Sequence, residues 1–236
     1  MGVQRLSRIG ARTLAIVVGV ALIVVAVFGL HRGRPPAYRG QIRNNLLQIA
    51  LAMHNYAAKH GALPPPAIYS ADGKPLLSWR VLLLPYIEHE WLYEKFKLDE
   101  PWDSSDNIAL LSEMPPVYET YRFVRSEPHM TTYRVFVGRG AAFEGPRGIS
   151  LGSFDDGLDN TLLIVEAAEA VPWTKPAELA YSPEGSLPLL GARSPDSFFA
   201  VLADSSVLYL PKTVSEETLR AAITRNGGEE VEPLRD

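Results

Sequence analysis

The sequence predicts an α+β protein: a single membrane helix followed by a domain in which a long amphipathic helix packs on an antiparallel sheet. Three observations lead to this prediction. An uninterrupted apolar run occupies Leu14–Leu30, a helical pattern runs from Ile42 to His60, and segments that favour strands come mostly in the second half of the chain. This order, with helices first and strands later, favours α+β over a repeating βαβ arrangement.

The apolar run predicts a membrane anchor over residues 13–31, preceded by a basic tail over residues 1–12. At about 1.5 Å per residue the run covers roughly 26 Å, close to the thickness of a bilayer core. It is longer than the apolar region of a cleaved signal peptide, the main alternative, and it ends without a small-residue cleavage site. We therefore expect a single-pass membrane protein whose carboxy-terminal domain is periplasmic or extracellular, although arginines on both sides of the run leave the orientation undecided.

After the anchor, Pro35 and Pro36 predict a helix break within a linker over residues 32–41. A domain over residues 42–229 follows, and residues 230–236 are expected to fray. Its first helix should end at Gly61 and bury one face. That face consists of Ile42, Leu46, Ile49, Met53 and Tyr56.

The helices and strands that follow are predicted from helix-capping residues and from the alternation of apolar and polar residues. Ser78 is predicted to cap a helix over Trp79–Leu84, and Pro85 to open a turn that runs through Trp91, Tyr93 and Phe96. The predicted strands are Thr132–Val137, Thr161–Val165, Phe198–Ala203 and Val207–Leu210, the last two forming a hairpin. Thr213 and Glu216 have capping-box spacing and predict a final helix that ends at Asn226-Gly227-Gly228.

The amino-acid composition excludes several classes of function. The chain has 236 residues, of which 47% are hydrophobic and 21% charged, as in globular proteins. Residues 1–43 hold seven arginines and no acidic residue, whereas residues 44–236 hold 16 basic and 27 acidic residues. A body with a net charge of −11 repels a phosphate backbone, so we expect no nucleic-acid partner. The absence of cysteine excludes disulfides, thiolate metal sites and a cysteine nucleophile.

No motif predicts an enzyme. The segment Gly148–Gly152 matches G-x-S-x-G, but it lacks the strand before and the helix after that a nucleophile elbow needs. Gly140 and Gly145 resemble the start of a phosphate loop, yet Pro146 stands where the lysine is required. His54 and His60 are six residues apart and point to different sides of one helix, so they cannot chelate one ion.

Two acidic stretches, Asp99–Asp106 and Asp155–Asn160, offer oxygen ligands, and the second is the candidate metal site. Asp155, Asp156, Asp159 and Asn160 offer oxygen ligands around Gly157, and oxygen is the ligand that calcium prefers. The alternative is that these residues bond to nearby backbone amides in a turn that needs no ion. Calcium is the only cofactor that the residues suggest. The four tryptophans could also line a ligand site or fill the core: Trp79, Trp91, Trp102 and Trp173.

Five strings carry a resemblance to a known family. They are Asn44–Tyr56, Ser78–Glu88, Leu92–Ser104, Asp156–Glu166 and Val171–Pro176. Together they resemble a planctomycete-type domain-of-unknown-function family, the fifteen-fifty-nine domain. The resemblance implies a pilin-like fold and a prepilin-like amino-terminal segment, and it implies no assigned activity.

Two positions depart from the family pattern. The amino-terminal segment keeps Gly10 and the pair Thr13-Leu14, but Ala15 replaces the glutamate of the prepilin pattern. The family's His-x9-Asp-Gly motif becomes Ser194 followed by Asp204-Ser205. We therefore expect a membrane-anchored structural or surface protein of pilin-like type, without enzymatic activity, with self-assembly or other cell-envelope partners. The alternative is an extracytoplasmic module that binds a ligand or calcium.

Overall fold

The computed structural model describes residues 37–120, 127–192, 194–229 and 234. The chain divides into two compact units, residues 1–41 and residues 42–236. Of the first unit, the structure describes residues 37–41, which begin a helix. The predicted basic tail 1–12 and membrane anchor 13–31 lie outside the described residues, as do residues 32–36 of the predicted linker and all of the tail 230–236 except Leu234.

The described residues form five α-helices and eight strands. In chain order they are α1 (Ala37–His60), β1 (Ala67–Tyr69), β2 (Pro75–Ser78), α2 (Trp79–Leu82), α3 (Glu90–Tyr93), α4 (Ser105–Ala109), β3 (Met130–Arg134), β4 (Phe136–Gly138), β5 (Leu162–Pro172), β6 (Leu179–Tyr181), β7 (Ser197–Leu202), β8 (Val207–Pro211) and α5 (Glu216–Ile223). Short 3₁₀ turns occupy Leu84–Tyr86, Leu110–Glu113, Pro116–Tyr118 and Leu151–Ser153.

Helix α1 begins five residues before the predicted start at Ile42, directly after Pro35 and Pro36. Residues 37–41, predicted as the end of the linker, are therefore helical. The predicted buried face is confirmed for four of its members: Ile42, Leu46, Ile49 and Met53. Tyr56, the fifth member, is only half-buried.

The largest sheet has four antiparallel strands in the order β3-β5-β7-β8. Strands β7 and β8 form the predicted hairpin, with Phe198 opposite Leu210. Val165, Phe198 and Leu202 from this sheet share a hydrophobic cluster with Ile223 of α5. Buried residues run without interruption through Leu162–Ala167 of β5 and Phe198–Leu202 of β7, so both faces of the sheet are covered at these central strands.

The predicted strand Thr132–Val137 is wrong, because the structure splits it at Val135 into β3 and β4, which belong to two sheets. The backbone N–H of Val135 donates to Glu178 Oε2 at 3.0 Å, and its carbonyl accepts from the Leu179 N–H at 3.0 Å. Both bonds join Val135 to residues outside the four-stranded sheet. Strand β4 therefore pairs in parallel with β6, and a third sheet consists of β1 and β2.

One of the two predicted helix caps is confirmed, and the other is wrong. Ser78 caps α2 as predicted, its Oγ accepting from the Arg80 N–H at 3.3 Å. At α5 the cap is Ser215 instead of Thr213, since Ser215 Oγ accepts from the Thr218 N–H at 3.0 Å. Glu216 is thus the first residue of the helix, whereas a capping box would place it three residues after the cap.

The predicted fold class, a membrane helix followed by a pilin-like helix-on-sheet domain, is contradicted by the structure. The described part of the chain is mixed α+β, but none of its helices has both the length and the apolar character needed to cross a membrane. The single antiparallel sheet is also replaced by three sheets, one of them parallel. The Val135 hydrogen bonds described above are the physical reason that β4 and β6 form a separate sheet.

Candidate functional site

A cleft lies between the last turn of α1 and the helical turns at residues 84–94. Its volume is about 340 Å³, within the range of small-molecule sites, about 300–1,000 Å³. Helix α1 contributes Tyr56, Lys59 and His60, whose spacing of three and four residues places them on one side of the helix. The other wall consists of Leu82, Pro85, Tyr86, Glu90, Tyr93 and Glu94. We call these nine residues the tyrosine cleft.

Turns in the backbone position the two walls of the tyrosine cleft. Gly61, with φ of +80°, ends α1, and its N–H donates to the Ala57 carbonyl at 2.8 Å. Pro85 occupies the start of the 3₁₀ turn Leu84–Tyr86. Glu88, with φ of +66°, then reverses the chain before α3. These turns bring Tyr86 and Tyr93 opposite the end of α1.

The aromatic rings of the cleft are in direct contact. Tyr56 and His60 stack, with ring centroids 4.1 Å apart. Tyr86 contacts Tyr56 edge-on at 5.6 Å, and its hydroxyl is 2.8 Å from His60 Nε2, within hydrogen-bond distance. Lys59 Nζ lies 5.8 Å from the Tyr86 ring centroid, within the range of a cation–π contact. The wall on α1 is therefore held in one arrangement before any ligand arrives.

Three phenol groups converge in the cleft. Burial raises the pKa of Tyr56, and the neighbouring Tyr86 and Tyr93 raise it further. Burial also raises the pKa of Tyr93, with a further contribution from Tyr86. The contact between the Tyr56 and Tyr86 rings and the position of Tyr93 in the same lining place the three phenols around one cavity. Each hydroxyl can donate and accept hydrogen bonds.

The predicted calcium ligands adopt a turn held by hydrogen bonds. Both carboxylate oxygens of Asp156 accept backbone N–H groups, from Gly227 at 2.7 Å and from Gly228 at 3.0 Å. The Asn160 amide donates to the Asp156 carbonyl at 2.9 Å, while Asp155 and Asp159 are exposed. Among the described residues, no three acidic or histidine side chains are grouped closely enough to hold a metal ion. The turn is explained without an ion, and calcium binding stays a prediction.

The tryptophans divide between core and surface. Trp79 and Trp173 are fully buried, and the Trp173 indole N–H donates to the Leu111 carbonyl at 3.0 Å. Trp102 is half-buried beneath Lys175, whose Nζ lies 5.4 Å from the ring centroid. Trp91 is 47% exposed and has Lys95 Nζ at 4.5 Å from its ring. None of the four lines the tyrosine cleft.

The G-x-S-x-G segment has a packing role in the structure. Ser150 Oγ accepts the Gly152 N–H at 3.4 Å and caps the 3₁₀ turn Leu151–Ser153. A Cβ atom at Gly148 would lie 1.8 Å from the Leu63 carbonyl oxygen, a distance that only glycine permits. The glycine therefore allows the chain to pass close to Leu63, whose N–H donates to the Ile149 carbonyl at 2.9 Å.

Sequence reasoning missed the cleft. Tyr56 was assigned to the buried face of α1, and Tyr93 to an ordinary turn. The available signal was the set Tyr56, Lys59 and His60 on one side of the predicted helix, directly before its end at Gly61. A helical pattern places these three side chains together, but it does not show that Tyr86 and Tyr93 face them.

Residues 32–120 match the model of a family described as "Protein of unknown function (DUF1559)". The match confirms the family resemblance over this stretch, and the whole tyrosine cleft lies within it. The description assigns no function to the family, and the prepilin-like detail gains no support from the match. No curated protein and no solved structure matches the chain.

Proposed function

We propose that this chain is a binding module without catalytic activity, and that the tyrosine cleft is its ligand site. The observation that carries the proposal is the convergence of three tyrosines, His60 and three charged side chains around one cavity. A concave site with aromatic walls and a few converging polar groups is the usual form of a small-molecule site. Tyrosine also gives contact area with little loss of rotamer freedom.

Binding suits the side chains of the cleft better than catalysis. His60 is stacked on Tyr56 and hydrogen-bonded to Tyr86, which orients the rings. A phenol acts as a nucleophile more readily when its pKa is lowered, and burial raises the pKa of two phenols of the cleft, Tyr56 and Tyr93. Rigid rings are an advantage for ligand recognition, so binding explains this arrangement better than catalysis does.

We place the module outside the cytoplasm on sequence grounds. An apolar run precedes the domain, and a long domain that follows such a run translocates largely regardless of the flanking charges. Protease treatment of intact spheroplasts, followed by detection of residues 42–229, tests this location. Digestion in intact spheroplasts supports it, and protection until the cells are lysed contradicts it.

Ligand binding is tested by nuclear magnetic resonance on the full-length chain. The probes are methyl β-glucoside, choline, glycine and phenol, each titrated to about 10 mM, where a Kd of 1 mM corresponds to roughly −4 kcal/mol. We expect at least one probe to cause saturable chemical-shift changes confined to residues 56–94. Tyr93→Ala should abolish these changes. Trp91→Ala, which removes an exposed ring outside the cleft, should leave them unchanged.

If no probe binds, the proposal fails. The function expected from the sequence would then be the better one, namely a structural or surface protein with no small ligand. Shift changes that survive Tyr93→Ala would also contradict the proposal, because the ligand would then occupy another part of the molecule.

A further inference from the structure

We infer that the ligand of the tyrosine cleft is a carbohydrate, an inference that rests on the proposed binding function. Three properties of the lining lead to it: a mixed set of charges, a surplus of groups that both donate and accept hydrogen bonds, and an aromatic face that no other ring covers.

The charges of the lining disfavour a simple ion. Lys59 stands on one wall, and Glu90 and Glu94 stand on the other. A cation entering the cleft meets the Lys59 ammonium, which already lies near the face of Tyr86. An anion meets the two carboxylates, one helical turn apart on the same side of the chain. A neutral ligand avoids both repulsions and can still bond to all three groups.

The hydrogen-bonding groups of the cleft match a ligand rich in hydroxyls. The phenols of Tyr56, Tyr86 and Tyr93 can each donate and accept, as a sugar hydroxyl does. The carboxylates only accept and the ammonium only donates, so a ligand must offer both functions at several points. A polyhydroxyl compound does so. Choline and phenol each have a single hydroxyl, and the quaternary ammonium group of choline has no donor.

The apolar part of the lining distinguishes a sugar ring from an open-chain polyol. Among the described residues, the Tyr93 ring contacts no other aromatic ring, whereas Tyr56 and Tyr86 contact each other and His60. The negative face of an aromatic ring attracts C–H groups that carry a partial positive charge. One face of a pyranose presents such C–H groups together. Leu82 and Pro85 extend the apolar surface beside it.

The experiment compares probe classes on the full-length chain. Glucose, galactose and N-acetylglucosamine are titrated as methyl glycosides and as short oligosaccharides, with glycerol, choline, glycine and phenol as competitors of other classes. We expect at least one saccharide to bind more tightly than every non-saccharide probe, and glycerol not to bind. Tyr93→Ala should weaken saccharide binding at least tenfold, because it removes the stacking face. Tyr93→Phe, which removes only the hydroxyl, should weaken it by a smaller factor.

Tyr69→Phe is the matched control, since Tyr69 is also a half-buried tyrosine but lies in β1 outside the cleft. It should leave saccharide affinity unchanged. If choline, glycine or phenol binds in the cleft and no saccharide does, the carbohydrate inference is overturned while the proposed binding function stands. If nothing binds, both are overturned. Saccharide binding that is insensitive to Tyr93→Ala overturns the inference as well, because the sugar would then bind elsewhere.

Discussion

Glu178 and Arg80 form an ion pair in the interior of the protein, with Oε1 and Nη1 2.9 Å apart, although 98 residues separate them in the chain. The Arg80 side chain is fully buried and that of Glu178 is 5% exposed. Arg80 also donates from Nη1 to Ser78 Oγ and from Nε to the Tyr133 carbonyl. Glu178 Oε2 accepts the Val135 N–H, so this pair links α2 to the point where β3 and β4 separate.

Glu178→Gln should lower the free energy of unfolding by about 3–5 kcal/mol, the usual cost of leaving a buried charge without its partner. Chemical denaturation of the variant measures the change. The control is Glu216→Gln, which removes an exposed carboxylate that pairs with Arg220 one turn along α5. That change should cost at most about 0.5 kcal/mol. Equal losses in the two variants would show that the buried pair contributes little.

Gly148→Ala should destabilise the domain by several kcal/mol or prevent folding, because the new methyl group would overlap the Leu63 carbonyl oxygen. Gly152→Ala provides the control, since the nearest atom to its added Cβ is Ser150 Oγ at 3.8 Å. Melting temperatures of the two variants give the comparison. A Gly148→Ala protein as stable as the control would mean that the chain passes Leu63 at a greater distance.

Ser205→Gly should stabilise the protein relative to Ser205→Ala by about 1 kcal/mol. Ser205 has φ of +73°, a conformation that glycine adopts without steric cost. It also occupies the position where the family resemblance implies glycine after aspartate. Both variants lose the hydroxyl, so their difference in unfolding free energy isolates the backbone conformation. If the Ser205→Ala protein is as stable as the Ser205→Gly protein, or more stable, the positive φ at this position has no steric cost.

Asp156→Ala should destabilise the domain by about 1 kcal/mol, since water replaces the carboxylate as acceptor for the exposed Gly227 and Gly228 N–H groups. Asp155→Ala changes an exposed carboxylate in the same turn and should be nearly neutral.

Melting temperatures in millimolar calcium and in chelator test the calcium site that the sequence predicts, and equal values would leave the turn explained by its hydrogen bonds alone. A cation bound only to the native state at a hundred times its Kd would add about 2.7 kcal/mol to the unfolding free energy. A calcium-dependent rise that Asp156→Ala removes would establish the calcium site that the sequence suggests.

Tyr56 and Tyr93 of the cleft should ionise above the ordinary pKa of 10.0 in the folded protein. Below pH 10 they are neutral in both the folded and the unfolded state and add no pH dependence. Above pH 10 the unfolded chain loses their protons first, so the free energy of unfolding falls as pH rises. Phenolate absorbance in the ultraviolet measures the titration. Tyr93→Phe should lower the pKa of Tyr56 toward its ordinary value, and an unchanged value would show that the two oxygens are not close.

Local patterns in the sequence predicted the parts of the fold that depend on neighbouring residues. The period of α1, the cap at Ser78 and the hairpin of β7 and β8 involve contacts within a few positions, so they can be recognised from spacing alone. The division of the segment Thr132–Val137 depends on Glu178 and Leu179, more than 40 residues later. No periodicity in the segment itself indicates those partners.

The sequence alone determined the mixed α+β content of the domain, the acidic character of its body, the exclusion of cysteine chemistry and the resemblance to one family. Only the tertiary structure decided which side chains meet. Tyr56 has the spacing of a core residue on α1, yet the chain returns through Pro85 and Glu88 to place Tyr86 and Tyr93 beside it. The aspartates around Gly157 have a composition suited to calcium, yet Asp156 bonds to amides 71 and 72 residues later. Spacing along a chain specifies local conformation, whereas a binding site depends on how distant segments fold against one another.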